Sequence, residues 1–378
     1  MDTQDIINNT YRVESEIGAG GGGTVYKAWH TRLQKHVVIK EQKSGIGDSI
    51  EIRRNEAEAL KNVRNPFLPH VYDFITEGSR SFTVMEYIEG ESFDSLLRQG
   101  CIFSRNEAVR WYGQLASALE ELHSKSIYHR DIKPSNIMLT TDGDACLIDF
   151  NSAFIAGNTV RLLSRSPGYA SPEQYELYEK VKKGCDVQMG GKNTGHNGCA
   201  PGRAVYGSPG GSGELSFDCD GRTVLSGDGS LLTGFPNGDI RVQAPIAGAD
   251  QMADRIDWVR SDIYSLGAAM YHILTGERPQ EKGSGDAAPL KYRRGDAGIA
   301  RIIERSTRPD PSERFASATE LSEAIRSVRK RGNAERANLM SDKMFFICGV
   351  MAIMNTAIIL AATVHALPTK PYNLHRGG

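Results

Sequence analysis

Asp131 and Asn136 stand five positions apart in the run Tyr128-His129-Arg130-Asp131-Ile132-Lys133-Pro134-Ser135-Asn136-Ile137-Met138-Leu139. In the pattern H-R-D-x-x-x-x-N, the carboxylate orients and deprotonates a hydroxyl and the amide oxygen holds a metal. Eighteen residues beyond Asp131, the run Leu147-Ile148-Asp149-Phe150-Asn151 ends an apolar stretch on a second carboxylate. Such oxygen ligands suit Mg²⁺, a hard cation. Upstream, Gly18-Ala19-Gly20-Gly21-Gly22-Gly23-Thr24-Val25 fits G-x-G-x-x-G-x-V. Glycine lets backbone amides approach phosphate without a Cβ in the way. The next residues, TVYKAWH, read as a strand, which rules out the dinucleotide-binding fingerprint because that motif opens a helix. Lys40 closes the β-branched run Val37-Val38-Ile39, and Glu56 follows sixteen residues later in RRNEAEAL. A Lys–Glu ion pair positions the lysine on nucleotide phosphates. Glu58 competes for that role; Glu56 is preferred because Leu60 follows it by one turn. The ordered set implies chemistry on a phosphoryl group and a hydroxyl.

Two kinds of element must position these groups. Residues 11–90 alternate short strand-like runs with turns, interrupted by one helical segment at roughly 50–63. Residues 104–123 read as a helix: Ser104 and Glu107 form a capping-box signature, and apolar residues recur at Ala108, Trp111, Leu115, Ala118, Leu119 and Leu122. A second buried helix is predicted over 262–275, ended by Gly276. A second capping box, Ser317 with Glu320, opens a helix to about Arg329. A β-rich lobe followed by an α-rich lobe is an α+β arrangement.

The chain has 378 residues and a formal net charge of −1, so its charge supplies no global reason to expect nucleic acid as a partner. None of the six cysteines forms a C-x-x-C pair, which removes support for zinc and dithiol readings. The N-terminus carries no basic or apolar leader pattern, so the body reads as cytosolic with reduced thiols. Of 40 glycines, 16 lie between 184 and 248, among hairpin cues such as Gly-Asp-Gly-Ser and Pro-Asn-Gly-Asp. This stretch reads as an insertion, either a small β-rich subdomain or a partly flexible loop. Met344 to Leu367 holds no Asp, Glu, Lys or Arg across 24 residues. As a helix it rises about 36 Å, enough for a hydrocarbon core of about 30 Å. Arg326, Arg329, Lys330, Arg331, Arg336 and Lys343 precede it, against Lys370 and Arg376 after it. Basic residues favour the cytoplasmic side, so 1–343 is expected to face the cytosol.

With these motifs in place, the sequence resembles the protein-kinase family, specifically its Ser/Thr branch and its bacterial members, over Tyr11 to Val328 apart from the glycine-rich insertion. The resemblance implies an α+β, two-lobed kinase-like fold: an N-lobe at 11–85, a hinge at 86–91 and a C-lobe at 92–328 with an insertion at about 176–257. A basic linker at 329–343, one transmembrane helix at 344–367 and a short tail at 368–378 follow. It implies ATP and Mg²⁺ as cofactors. Ile17, Gly18, Gly20, Gly23 and Val25 line the nucleotide, together with Glu86 and Ile88 of the hinge behind a gatekeeper Met85. Lys40 anchors the α- and β-phosphates and pairs with Glu56. Asp131 is the base, Lys133 of D-x-K-P contacts the γ-phosphate, and Asn136 and Asp149 are the metal ligands. Ser171-Pro172-Glu173 stands for the family's A-P-E, and Asp262 and Arg314 match its C-lobe aspartate and arginine. Ser166 aligns with the threonine that shapes the substrate site, leaving Thr159 and Ser164 as the better phosphorylation candidates, with Arg130 as a partner for the phosphate.

Three departures stand out: Asn151 replaces the glycine of D-F-G, Val38 replaces an alanine over the adenine pocket, and the insertion begins soon after Glu173. The implied function is a membrane-anchored Ser/Thr protein kinase that acts on proteins and phosphorylates itself, with single-pass localisation and no nucleic-acid partner. The alternative is a nucleotide-binding pseudokinase scaffold at the membrane. A small-molecule kinase is weakened by Lys133 and the S-P-E segment.

Overall fold

The computed structural model describes residues 6–20, 23–42, 50–78, 80–150, 153–155, 162–179, 203–208, 211–216, 223–225, 231–234, 240–243, 255–279 and 297–331, plus single helical positions between 343 and 356. Asn151, Ser152, Thr159, the tail 368–378 and most of 344–367 lie outside the described residues. The chain divides into two units, Met1–Arg326 and Ser327–Gly378.

The first unit opens on a six-stranded antiparallel sheet. Its strands are β1 (Ile6–Ile7), β2 (Tyr11–Gly20), β3 (Gly23–His30), β4 (Lys35–Gln42), β5 (Val71–Glu77) and β6 (Arg80–Glu86), in the order β1-β2-β3-β4-β6-β5. Period-2 alternation decides its faces. Tyr26 and Ala28 of β3, Val37 and Ile39 of β4, and Phe82 and Val84 of β6 are buried in one apolar cluster. The intervening residues belong to the opposite face. There the register aligns Gly18 with Val25, Val25 with Lys40 and Lys40 with Thr83, while Val38 partners Met85. Helix α1 (Ile50–Lys61) falls where the sequence places one and packs on β5.

β7 (Gly90–Ser92) and the short helix α2 (Phe93–Arg98) lead into the helical half. Its axis is α3 (Arg105–Ser124), whose capping box is complete: Ser104 accepts from the Glu107 amide and Glu107 accepts from the Ser104 amide. Apolar positions at helical spacing bury Ala108, Trp111, Tyr112, Leu115, Leu119 and Leu122. β8 (Ile127–Tyr128), β9 (Ile137–Thr140) and β10 (Ala145–Leu147) carry the loops that hold Asp131, Asn136 and Asp149. β11 (Phe154–Ile155) pairs with β8, and β12 (Leu162–Arg165) follows.

Helix α4, residues 172–179, buries Leu177 and Tyr178, so the core continues past position 176, where the insertion is expected to begin. Within the insertion, β13 (Arg203–Ser208) pairs with β14 (Gly211–Ser216), and β15 (Thr223–Leu225), β16 (Leu231–Gly234) and β17 (Ile240–Gln243) form a meander. The hairpin cues are therefore realised as strands, and the β-rich alternative holds for the described residues.

Helix α5 (Trp258–Thr275) starts four residues before the predicted helix, because Asp257 caps it by accepting from the Arg260 amide. Gly276 closes it in the left-handed conformation. α6 (Ala297–Ser306) crosses α5 closely: a Cβ on Gly267 would lie 2.6 Å from Ser306 Cβ. The last helix of this unit starts at 318, with Ser317 accepting from the Glu320 amide. Here the predicted capping box is altered, since the Glu320 carboxylate bonds Ala316 N rather than Ser317 N.

In the second unit, helical positions 344, 347, 350, 351 and 354 expose Met344, Ile347, Val350, Met351 and Met354. Among the described residues, no helix is long and apolar enough to cross a membrane.

Candidate active site

The sheet positions the glycine turn. Gly20 and Gly23 are register partners at the tip of the β2–β3 hairpin, and Gly23 has φ +136°. A Cβ there would lie 1.9 Å from the Glu41 carbonyl oxygen, so only glycine fits. Gly23→Ala is expected to force the hairpin off β4, at a cost of about 1–3 kcal/mol for the strained backbone. A thermal-unfolding midpoint equal to wild type would contradict this. At Gly18 the same construction meets only Val25 Cβ at 4.0 Å, an ordinary contact, so Gly18 is not sterically obligatory in this structure. Ile17, on the same strand, is half exposed.

Lys40 ends the row Gly18–Val25–Lys40 and is buried. Its ammonium lies 2.6 Å from Asp149 Oδ1. Asp149 is thus one carboxylate on this lysine; Glu56, the partner expected from the sequence, is half buried on α1 and lies in the field of Arg130. Burial pushes the Arg130 guanidinium down to about 10, opposed by the carboxylates of Asp262, Glu56 and Asp131. Glu86 ends β6 and is held twice to His70: its amide donates to His70 O at 2.8 Å and its carboxylate accepts from His70 N at 3.1 Å. Ile88 follows in the half-buried connection between β6 and β7, where the hinge is expected.

The loop between β8 and β9 is built around one buried carboxylate. Asp262 of α5 is fully buried and accepts from His129 N at 2.9 Å and Arg130 N at 2.8 Å, with His123 Nε2 at 3.0 Å. These bonds hold Arg130 in the left-handed conformation (φ +62°). The Gln174 side chain adds a bond from Nε2 to Arg130 O at 2.8 Å. Asp131, also buried, thereby turns into a compact cluster. Ser166 Oγ donates to Asp131 Oδ1 at 2.6 Å, and Lys133 Nζ lies 3.3 Å from Asp131 Oδ2 and 3.0 Å from Ser166 Oγ.

Asn136 Nδ2 donates to the Asp131 carbonyl at 2.7 Å, which leaves its Oδ1 as the acceptor end. Ile148 N donates to Asn136 O at 2.8 Å, and His129 Nε2 lies 3.1 Å from Ile148 O. These main-chain ties place Asn136 beside Asp149, whose φ of +67° turns its carboxylate out of the β10 line. An amide oxygen and a carboxylate suit a cation that completes its shell with phosphate and water, as Mg²⁺ does. Among the described residues no group of three or more His, Cys, Asp or Glu could hold a metal ion.

The far end of the segment is anchored by Arg314. Its side chain is fully buried and bidentate on Glu173, at 2.6 and 2.9 Å, and it also donates to three carbonyls, of Arg308, Pro309 and Arg260. The structure thus joins Asp131, Lys133, Asn136, Asp149 and Lys40 in one region. The contributions of His123 and Gln174 had no sequence signal: each is a single polar residue within a helical pattern.

Residues 11–188 match the family described as Protein kinase domain. The chain is 34% identical over 176 residues to a probable serine/threonine-protein kinase of Clostridium acetobutylicum, covering 45% of this chain and 27% of that one. It is 25% identical over 337 residues to a serine/threonine-protein kinase of Mycobacterium bovis, covering 84% and 23%. It is 26% identical over 353 residues to one of Myxococcus xanthus, covering 87% and 52%. The chain therefore spans about a quarter to a half of the length of these relatives.

Proposed function

With residues 11–188 matching the protein kinase domain, we propose that this chain is an ATP-dependent serine/threonine protein kinase anchored to a membrane. The observation that carries the reading is the buried cluster of Asp131, Ser166 and Lys133 beside Asn136 and the Lys40–Asp149 pair. Mg-ATP supplies the transferable phosphoryl group and the divalent charge. Asn136 and Asp149 are the residues that would hold the metal, and Lys40 with the Gly18–Gly23 turn would hold the phosphates. Asp131 accepts the proton of the acceptor hydroxyl. Lys133 keeps a positive charge beside that carboxylate and would face the phosphoryl group, over whose oxygens the negative charge is spread during transfer. Catalysis of this type is positioning and charge stabilisation. Ser166 orients Asp131 and so favours a serine or threonine hydroxyl as acceptor, including hydroxyls of a second copy of the chain.

The test is phosphate transfer from Mg-ATP to a generic Ser/Thr protein by the full chain. Thermal stabilisation by Mg-ATP with no transfer to acceptor or self would point instead to a nucleotide-binding scaffold.

The segment 344–367 is the membrane anchor in this proposal, with residues 1–343 on the cytosolic side. Its support is the uncharged apolar run, the basic flank before it and the exposed apolar side chains of Met344, Ile347, Met351 and Met354 at helical spacing. Lysine at a helix centre costs about 2.5–3.5 kcal/mol in membrane insertion. The double variant Ile353→Lys/Ile358→Lys is therefore expected to leave the membrane pellet for the supernatant. Equal pelleting of variant and wild type after carbonate washing would remove the anchor.

A further inference from the structure

Strand β12 lies in the segment that runs from Asp149 to Glu173 and delivers Ser166 to the site. Among the described residues it does not pair with the strands of the kinase core. It joins the insertion, as the outer strand of a four-stranded sheet in the order β12-β17-β16-β15. The register is antiparallel: Leu162 with Gln243, Leu163 with Val242, Ser164 with Arg241 and Arg165 with Ile240.

The other fixed points of this segment are core contacts. β11 is held by β8 at Phe154–Ile155. Beyond Ser166, Gly168 has φ +84°, and a Cβ there would lie 2.4 Å from Pro279 O. Tyr169 OH lies 2.6 Å from His272 Nδ1, and Gln174 and Glu173 are bonded to Arg130 and Arg314. Between these anchors, immediately before Ser166, the described partner is β17. A four-residue strand has too few contacts to hold an extended form by itself, and its backbone groups need a ladder partner.

We propose that β17 is a clamp for the activation segment. The insertion holds 162–165 extended so that the next residue, Ser166, reaches Asp131 and Lys133. Its role is positioning: β17 pairs with 162–165 and acts through Ser166. The catalytic consequence rests on the kinase reading; the ladder itself does not.

The test uses the full chain. Hydrogen exchange of the wild type is read first and needs no activity: the amides of 162–165 that face β17, every second one because β12 is an outer strand, exchange slowly, at least a hundredfold below the unprotected rate. Fast exchange there overturns the clamp. Proline removes a ladder N–H and is excluded from central strands. Val242→Pro in β17 is expected to abolish the protection at 162–165 and to lower kcat at least tenfold. Its KM for ATP stays within twofold and its stabilisation by Mg-ATP is kept. Val224→Pro, in β15 on the far side of the same sheet, is expected to stay within twofold of wild type in both readouts. Wild-type kcat or retained protection in Val242→Pro overturns the proposal. So does equal loss in Val224→Pro, which would mark a general folding effect. A wild-type chain without transfer activity would sink the kinase reading, while the exchange data would still decide the clamp.

Discussion

Asp131→Asn is expected to lower phosphoryl transfer by about 10²–10⁴-fold, the usual worth of a positioned general base. The substitution keeps shape and removes the negative charge. The Oδ1 that accepts from Ser166 at 2.6 Å and the Oδ2 that lies 3.3 Å from Lys133 belong to one carboxylate. An amide supplies one oxygen, which can accept from Lys133, and one NH₂, which can donate to the Ser166 hydroxyl, so the cluster can keep its shape while the charge is lost. Neither of its ends takes a proton from a hydroxyl at neutral pH. Nucleotide binding should persist, because Lys40 and the Gly18–Gly23 turn lie on the sheet and do not depend on Asp131. The check is a paired measurement: single-turnover transfer to a protein acceptor, and thermal stabilisation by Mg-ATP. Transfer within tenfold of wild type would remove Asp131 from the role of base.

Asp262→Ala is expected to destabilise the first unit by about 3 kcal/mol, since it orphans buried donors and leaves a cavity. Two backbone amides and the His123 ring converge on this fully buried carboxylate. For a domain of this size the cost corresponds to about 6–12 °C in unfolding midpoint. Activity should fall further than stability explains, because the same bonds hold Arg130 in the left-handed conformation and thereby aim Asp131. A calorimetric midpoint within 2 °C of wild type, or kcat unchanged in the folded fraction at low temperature, would contradict this account. The two variants separate two roles: Asp131 acts at the reacting atoms, and Asp262 acts through the loop that carries them.

Much of this site is legible along the chain because its spacing is local. Asp131, Lys133 and Asn136 fall within six consecutive positions, and a strand end sets Asp149 at a short fixed distance beyond them. Amphipathic spacing and the Ser104 capping box likewise place α3 to within one residue. Lys40 is readable as the end of an apolar strand, because alternation sends its neighbours Val37 and Ile39 to the core and the lysine to the other face. What lies between distant segments is less legible. A carboxylate on Lys40 is Asp149, 109 residues away, a pairing that no local spacing announces. His123 and Gln174 support the loop between β8 and β9 from positions that no motif marks. The insertion's hairpins are written in its turns, but the pairing of β17 with β12 joins segments about 78 residues apart, and no periodicity encodes such a register.

The sequence by itself determined which groups are available and their chemical class: a base, a lysine, two oxygen ligands, a glycine turn and an uncharged apolar run. Local spacing and strand or helix period are properties of neighbouring residues, so they survive in one dimension. Only the tertiary structure decided who pairs with whom: Lys40 with Asp149, Ser166 with Asp131, Asp262 with the loop amides, and the insertion with the activation segment. Those choices follow from burial. Once a charge or an N–H leaves water, it must find the partner that packing brings within reach, wherever that partner lies in the chain.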